Sequence, residues 1–269
     1  MSGRWTGRVG ATLALAYVAV PLALVVWIGT GTARSISLPA GVPGVEPVRR
    51  LLADPGWFDA LVRSLVLAGY VAVVAVVVGS LGAYASLRRG PVVRAVVLGV
   101  LLAPAVVPTV VYALGLVLVS TEVPVDPAYL LVVGHAVLAT PLALLVMRVG
   151  VASLRPEQVE SARLLGASRT LTLATVVVPH LLPFGLVAAA LAASVSLAEP
   201  VLAIFLLNDS TATLPQKSFQ GLRFSFDPLI FTAATVIILM VGAVVATGAA
   251  LLLIRSRTAG GPRNGDRTT

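Results

Sequence analysis

The sequence predicts an all-α integral membrane protein with six transmembrane helices and a polar loop between the fourth and the fifth. Three observations carry this. Of 269 residues, 58% are apolar and 11% charged, whereas soluble domains carry roughly 25% charged residues. Mean hydropathy is +1.01. The apolar residues also fall in long runs, each close to the roughly 20 residues a helix needs to cross a bilayer.

The segments run Gly10–Thr30, Ser64–Leu87, Ala95–Val119, Tyr129–Val149, Leu182–Leu206 and Leu229–Ile254. The first, with about 18 apolar residues and no clear small-x-small site after it, reads as a retained helix rather than a signal-peptide core. Basic residues set the orientation. With the N-terminus inside, Arg4, Arg8, Arg88, Arg89, Arg94, Arg148, Arg155, Arg163, Arg169, Arg255, Arg257, Arg263 and Arg267 fall in inner segments, thirteen of the 19 Lys and Arg. Most acids, including Glu46, Asp54, Asp59, Glu122, Asp126, Asp209 and Asp227, fall outside. Positive charge stays on the cytoplasmic side, so both termini are expected there. The tail 255–269 reads as a short basic cytoplasmic end.

Composition also excludes functions. There are no cysteines and two histidines, so disulfides, thiolate metal sites and a Cys nucleophile are out, and no metal or other cofactor is expected. A net charge of +8 could suit nucleic acid, but no compact basic domain exists to bind it. No G-x-x-x-x-G-K-[ST] loop is present, so the chain is not expected to hydrolyse ATP or to be an enzyme.

The loop from Val159 to Pro183, VESARLLGASRTLTLATVVVPHLLP, is the best-formed place for a soluble partner to take hold. Pro156 suits the first position of a helix, where a missing N–H costs nothing. Glu157 and Glu160 follow in the first turns, where the helix dipole favours negative charge, and Arg163 falls near the end. Gly166 is placed to end the helix in a left-handed turn. Ser168 can cap a second helix through Leu171, Ala174 and Val178. Two short helices at an angle are expected at the membrane surface. Each residue alone would also fit a solvated surface helix; the spaced set in one inner loop points to docking.

The pattern is Glu160-x-Ala162-x-x-x-Gly166, nine residues, then Val176-x-Val178-Pro179. It resembles the EAA loop of permease subunits from ATP-binding-cassette (ABC) importers, with Ser161 where the family usually has a second Ala. The resemblance extends to Trp57–Arg89, with Gly79, Ala83, Tyr84 and Ala85, to Leu101–Gly115, and to Gly134–Leu154. It covers about Trp57–Ile254 and implies residues 1–56 as an N-terminal helix and outer loop, 57–254 as the permease domain, and 255–269 as the tail. It further implies that Glu160, Ser161, Ala162, Gly166, Ala167 and Pro179 form a coupling-helix loop docked in a cytoplasmic ATPase. The implied partners are two ATP-binding subunits, a second permease (a copy or a paralogue), an extracytoplasmic substrate-binding protein and membrane lipid. The stretch Ser196–Leu239, with Thr213-Leu214-Pro215, Gly221–Phe224 and Asp227-Pro228, resembles the polyamine (spermidine/putrescine) branch. Relatives for iron, phosphate, thiamine, opines or molybdate share the framework.

Inside the membrane, Glu199 is the one acid in an expected span, about 25 Å above Leu182 at 1.5 Å per residue. Such a group is costly in lipid and usually faces a pathway or a partner. Either it lines the outer mouth and favours a cation, or it snorkels or pairs with an Arg such as Arg223. Pro104 and Pro108, with Pro141 and Pro200, remove helix hydrogen bonds and allow bends, and broken helices line cavities in transporters. His135 is expected to hydrogen-bond a neighbour. Small residues such as Gly79, Gly82, Ala188, Ala189 and Ala190 permit close helix packing. A secondary transporter driven by an ion gradient would usually show inverted repeats and more buried ionisable groups; no repeat is visible.

Overall fold

The structure is a computed structural model, and it describes residues 2–32, 41–224 and 227–259. The helices are α1 (Ser2–Thr30), α2 (Glu46–Ala53), α3 (Pro55–Arg88), α4 (Pro91–Leu102), α5 (Thr109–Glu122), α6 (Pro127–Ser153), α7 (Pro156–Leu164), α8 (Arg169–Thr172), α9 (Val178–Ala198), α10 (Val201–Leu206), α11 (Leu214–Phe224) and α12 (Leu229–Ala259). Many helix starts follow from local rules. Pro stands in the first turn of α2, α4, α6 and α7, where it costs no hydrogen bond. Asp126 caps α6 by accepting from the Ala128 N–H at 2.8 Å.

Four helical stretches among the described residues are long and apolar enough to cross a membrane: Thr12–Thr30, Pro55–Arg88, Pro127–Ser153 and Arg169–Ala198. The pair α4 and α5 makes a fifth if taken as one span, and α12 adds the apolar stretch Leu229–Ala243. Two expected segments need correction. Ala95–Val119 is not one straight helix: a 3-10 turn at Ala103–Ala105 breaks it, and the halves meet at 97°. Pro104 lacks an N–H for the ladder, and Pro108, the N-cap of α5, holds an extended ψ of 133°. The segment expected at Leu182–Leu206 begins at Arg169 and ends at Ala198, and Val201–Leu206 is a separate short helix.

The chain divides into two compact units. One comprises Met1–Ser64 and Asn208–Met240. In it α1 meets α12 closely: a Cβ at Gly29 would overlap the Phe231 carbonyl, and Thr232 Oγ1 donates to the Gly29 carbonyl at 2.9 Å. Trp57, buried at the start of α3, donates from Nε1 to Asp227 Oδ2 at 3.1 Å. The Lys217 ammonium on α11 sits 5.2 Å from the Trp57 ring centroid, a cation–π contact. Leu214 N–H donates to Ser64 Oγ at 2.7 Å. The Lys217 and Leu214 contacts hold the short amphipathic helix α11, and buried Leu51 anchors α2, which packs on α1; neither helix was expected from hydropathy.

The other unit comprises Leu65–Leu207 and Val241–Thr269. Its core is built on α6 and α9, with Ala139, Ala143, Leu144, Ala188 and Ala192 fully buried together with Val71 and Ala75 of α3. The backbones come close at Gly79, where a Cβ would lie 2.9 Å from the Ala143 carbonyl carbon. Small residues thus bring helices into the backbone contact that drives association in lipid, where apolar burial alone gives little preference. Outside the core, large apolar side chains such as Tyr70, Val73, Val77 and Leu118 are exposed, as a bilayer-facing surface requires.

Candidate functional site

The stretch from Ser153 to Pro183 forms an elbowed arm in the second unit. Leu154 turns the chain out of α6, and α7 begins with Pro156 at its N-terminus, Glu157 in its first turn and Arg163 in its last. The charges therefore sit where the helix dipole stabilises each of them. Gly166 has φ +86°, and the hydrogen bonds around it define the turn. Ala167 N–H donates to the Ala162 carbonyl at 3.0 Å, and Gly166 N–H to the Arg163 carbonyl at 2.9 Å. These nested bonds are a Schellman closure, which satisfies carbonyls left unpaired at the helix end and needs the left-handed residue that glycine provides.

Ser168 then caps α8, accepting from the Leu171 N–H at 3.2 Å. The expected pair of short helices is half right. The second is not short, because α8 runs through a π-helical stretch, Leu173–Val177, straight into α9. The cause is Pro179. It has no N–H to offer the Thr175 carbonyl, and its ring would crowd that carbonyl in a regular α-helix. Val178 N–H instead reaches five residues back to the Leu173 carbonyl, and the wider turn absorbs the proline without a break.

The arm stands free of the core. No side chain of α7 is buried, and Glu160 and Ser161 point outward while Ala162 and Ala167 are half-buried. Leu164 and Leu165 are each 89% exposed at the elbow. Apolar side chains this exposed beside charged neighbours suit contact with another protein. Both leucines went unremarked in the sequence reading, although their position just before Gly166 would have flagged them. Val159 and the buried Thr172 face inward, and α7 packs on α8 and the π-helical stretch.

A second cluster is built by the two broken helices. Glu199 ends α9 with an extended backbone, and its Oε1 accepts from the N–H groups of Val201 and Leu202. The carboxylate thus caps α10, where the dipole favours it. The helix α10 packs against α5, which follows the Pro104–Pro108 break, and against α6. At Gly134 of α6 a Cβ would meet Leu116 of α5 and Leu202 of α10. One turn below the Glu199 break, buried Ser196 lies 2.9 Å from His135 Nδ1, the neighbour contact expected of that histidine. Glu199, Pro104 and Pro108 therefore belong to helices that meet, and the acid's immediate partners are backbone amides. Among the described residues no group of three or more His, Cys, Asp or Glu could hold a metal ion.

The several long apolar helices, one pair of them bent, and the projecting helical elbow are those of a helical membrane protein. The chain belongs to the family of binding-protein-dependent transport system inner membrane components, which it matches over residues 75–258. It is 31% identical over 162 residues, 57% of its length, to a probable ABC transporter permease protein, y4fN, of Sinorhizobium fredii (strain NBRC 101917 / NGR234). The chain spans 28% of that relative's length. In fold it is similar to a bacterial alginate ABC transporter solved in complex with an alginate pentasaccharide-bound periplasmic protein, with TM-score 0.63 at 13% identity, covering 91% of each chain. It is also similar to the MetNI methionine ABC transporter in inward-facing conformations, with TM-score 0.56 at 16% identity, covering 78% of this chain and 98% of the other.

Proposed function

We propose that the chain is the permease subunit of an ABC importer and that the Pro156–Pro183 arm is its coupling element. The observation that carries this is the elbow: α7, a helix with no buried side chain, is closed at Gly166 beside two exposed leucines and is followed by α8, which runs on into a membrane-spanning helix. Glu160, Ser161, Ala162, Gly166, Ala167 and Pro179 are its docking and hinge residues, with Glu160 meeting a basic group of a cytoplasmic ATPase. Both termini and the arm lie in the cytoplasm, on the strength of the arginine distribution. Six spans arise if the bent pair α4 and α5 counts as one and α12 crosses in full. Two permeases, identical or related, enclose the pathway, and a binding protein delivers solute to the outer face. ATP binding draws the ATPases together, the arms follow, and the bundle switches access between the two sides.

The solute is a small molecule of polyamine type. This rests on the resemblance of Ser196–Leu239 to that branch and on Glu199, a carboxylate at the outer end of α9 beside the two helix breaks. An acid there favours a cation by charge. The test is ATP hydrolysis and uptake by the assembled complex in proteoliposomes with its binding protein, offering spermidine and putrescine first. Stimulation by either supports the substrate. A response only to iron, phosphate, thiamine, an opine or molybdate keeps the permease and discards the polyamine. Transport driven by an ion gradient, with no coupled ATP hydrolysis, overturns the reading.

A further inference from the structure

From the contacts at the root of the arm we infer that His180 is a positioning residue that locks the arm to α6, so that α6, the arm and α9 move as one lever. This rests on the coupling role proposed above. His180 follows Pro179 in the first turn of α9, and its Nε2 lies 3.0 Å from Ser153 Oγ and 3.3 Å from the Gly150 carbonyl. Ser153 itself donates to that carbonyl at 2.9 Å. A carbonyl only accepts, so Nε2 carries the hydrogen and donates to both oxygens.

The Gly150 carbonyl is open for this reason: α6 ends there. Leu154 N–H, which would have bonded it in a continuing helix, turns to Val151 instead. The carbonyl is thus one of the orphan acceptors of a helix C-terminus; Ser153 caps it from within α6 and His180 from beyond the arm, 30 residues later in the chain. The same spot is shaped to receive α9. A Cβ at Gly150 would lie 2.8 Å from Phe184 Cγ, so the Phe184 ring rests on bare backbone. The His180 ring lies one turn away from it, tilted by 34°, with centroids 6.0 Å apart.

The apolar packing of α6 on α9 resists separation but is non-directional and tolerates rotation. A hydrogen bond to a fixed carbonyl is directional, so it sets the rotational register of the two roots. The π-helical stretch beside it lacks the regular i to i−4 bonds that would otherwise help to fix that register. The clasp therefore keeps a push on α7 from being spent in turning the start of α9 against the end of α6.

The test uses the full complex of permeases, ATPases and binding protein in nanodiscs. The chain has no native cysteine, so nitroxide labels on Gln158→Cys of α7 and Leu145→Cys of α6, both exposed, report one distance. The parent is expected to keep a single narrow distance with and without ATP. His180→Phe keeps the ring packing and removes the donor; it should lose that single distance and reduce binding-protein stimulation of ATP hydrolysis by about five-fold, the low end of a coupling effect. His180→Gln, whose amide restores an N–H near the same place, should recover both. An unchanged distance in His180→Phe, or no recovery in a well-assembled His180→Gln, overturns the clasp. Gly166→Pro is run beside them. If it abolishes stimulation while His180→Phe does not change it, the clasp fails and the coupling arm stands; if Gly166→Pro also leaves stimulation intact, the coupling reading itself fails.

Discussion

The two ends of α9 meet the same problem and solve it in opposite ways. At the arm end, Pro179 interrupts the ladder, and a π-helical turn carries the helix through. At the other end Pro200 follows Glu199, the helix stops, and α10 starts again under the carboxylate cap. A proline alone does not decide between bending, widening and breaking. What decides is whether the freed backbone groups find partners along the old axis or a new one. Beside Pro179 the Val178 N–H finds the Leu173 carbonyl five residues back, so the helix continues from the arm into α9. At Pro200 an acid offers a ready N-terminal cap, so the chain changes direction where α10 meets α5 and α6.

Breaking the arm should have the largest effect. Gly166→Pro forces φ near −65° where the backbone holds +86°, at a cost of about 3 kcal/mol or more, and removes the Gly166 N–H of the Schellman closure. Binding-protein-stimulated ATP hydrolysis should vanish while the complex still assembles, as judged by gel filtration. Gly166→Ala, which costs about 1–2 kcal/mol in the left-handed region, should reduce stimulation only in part.

Pro179→Ala sharpens the comparison next. With an N–H restored, the Thr175 carbonyl regains its α partner and the π turn becomes unnecessary. Losing its extra residue turns the arm by about 100° relative to α9. The protein should be at least as stable to heat as the parent, yet show weaker stimulation, a split that a simple folding defect cannot produce. At the opposite end, Glu199→Gln keeps an acceptor for the Val201 and Leu202 N–H groups but removes the charge. Stability should fall by about 1 kcal/mol or less, and uptake of a cationic solute should fall well beyond that; unchanged uptake would remove Glu199 from the pathway. Ser168→Ala is the mildest, with loss of about 1 kcal/mol from the cap of α8, read as a small drop in melting temperature.

Much of the arm was legible in the sequence because its signals are local. Pro156, Glu157, Arg163, Gly166 and Ser168 each do in the structure what their residue type favours at a helix end. The continuation of α8 into α9 was not legible. Pro179 reads as a stop in sequence, and only the hydrogen bonds reveal that a wider turn accommodates it. The bend at Pro104 and Pro108 was visible as a possibility, but its 97° angle follows from packing, since a proline permits a kink without fixing its size. Helices α2 and α11 escaped because isolated helices of 8 and 11 residues are marginal without tertiary contacts. Leu51 of α2 and Gln216 of α11 are buried by the fold, and Trp57 and Ser64 reach α11 from a distant part of the chain. The candidate pathway was legible as residue types only: the sequence marks Glu199 as an intramembrane acid, while its amide partners depend on where α9 stops.

The central claim is that the elbow transmits ATPase motion into the bundle. The most direct measurement is ATP hydrolysis by the reconstituted complex, with and without loaded binding protein, for the parent and for Gly166→Pro at matched assembly. The expected result is stimulation in the parent and none in the variant, with basal hydrolysis by the ATPases retained. Equal stimulation in both would contradict the account.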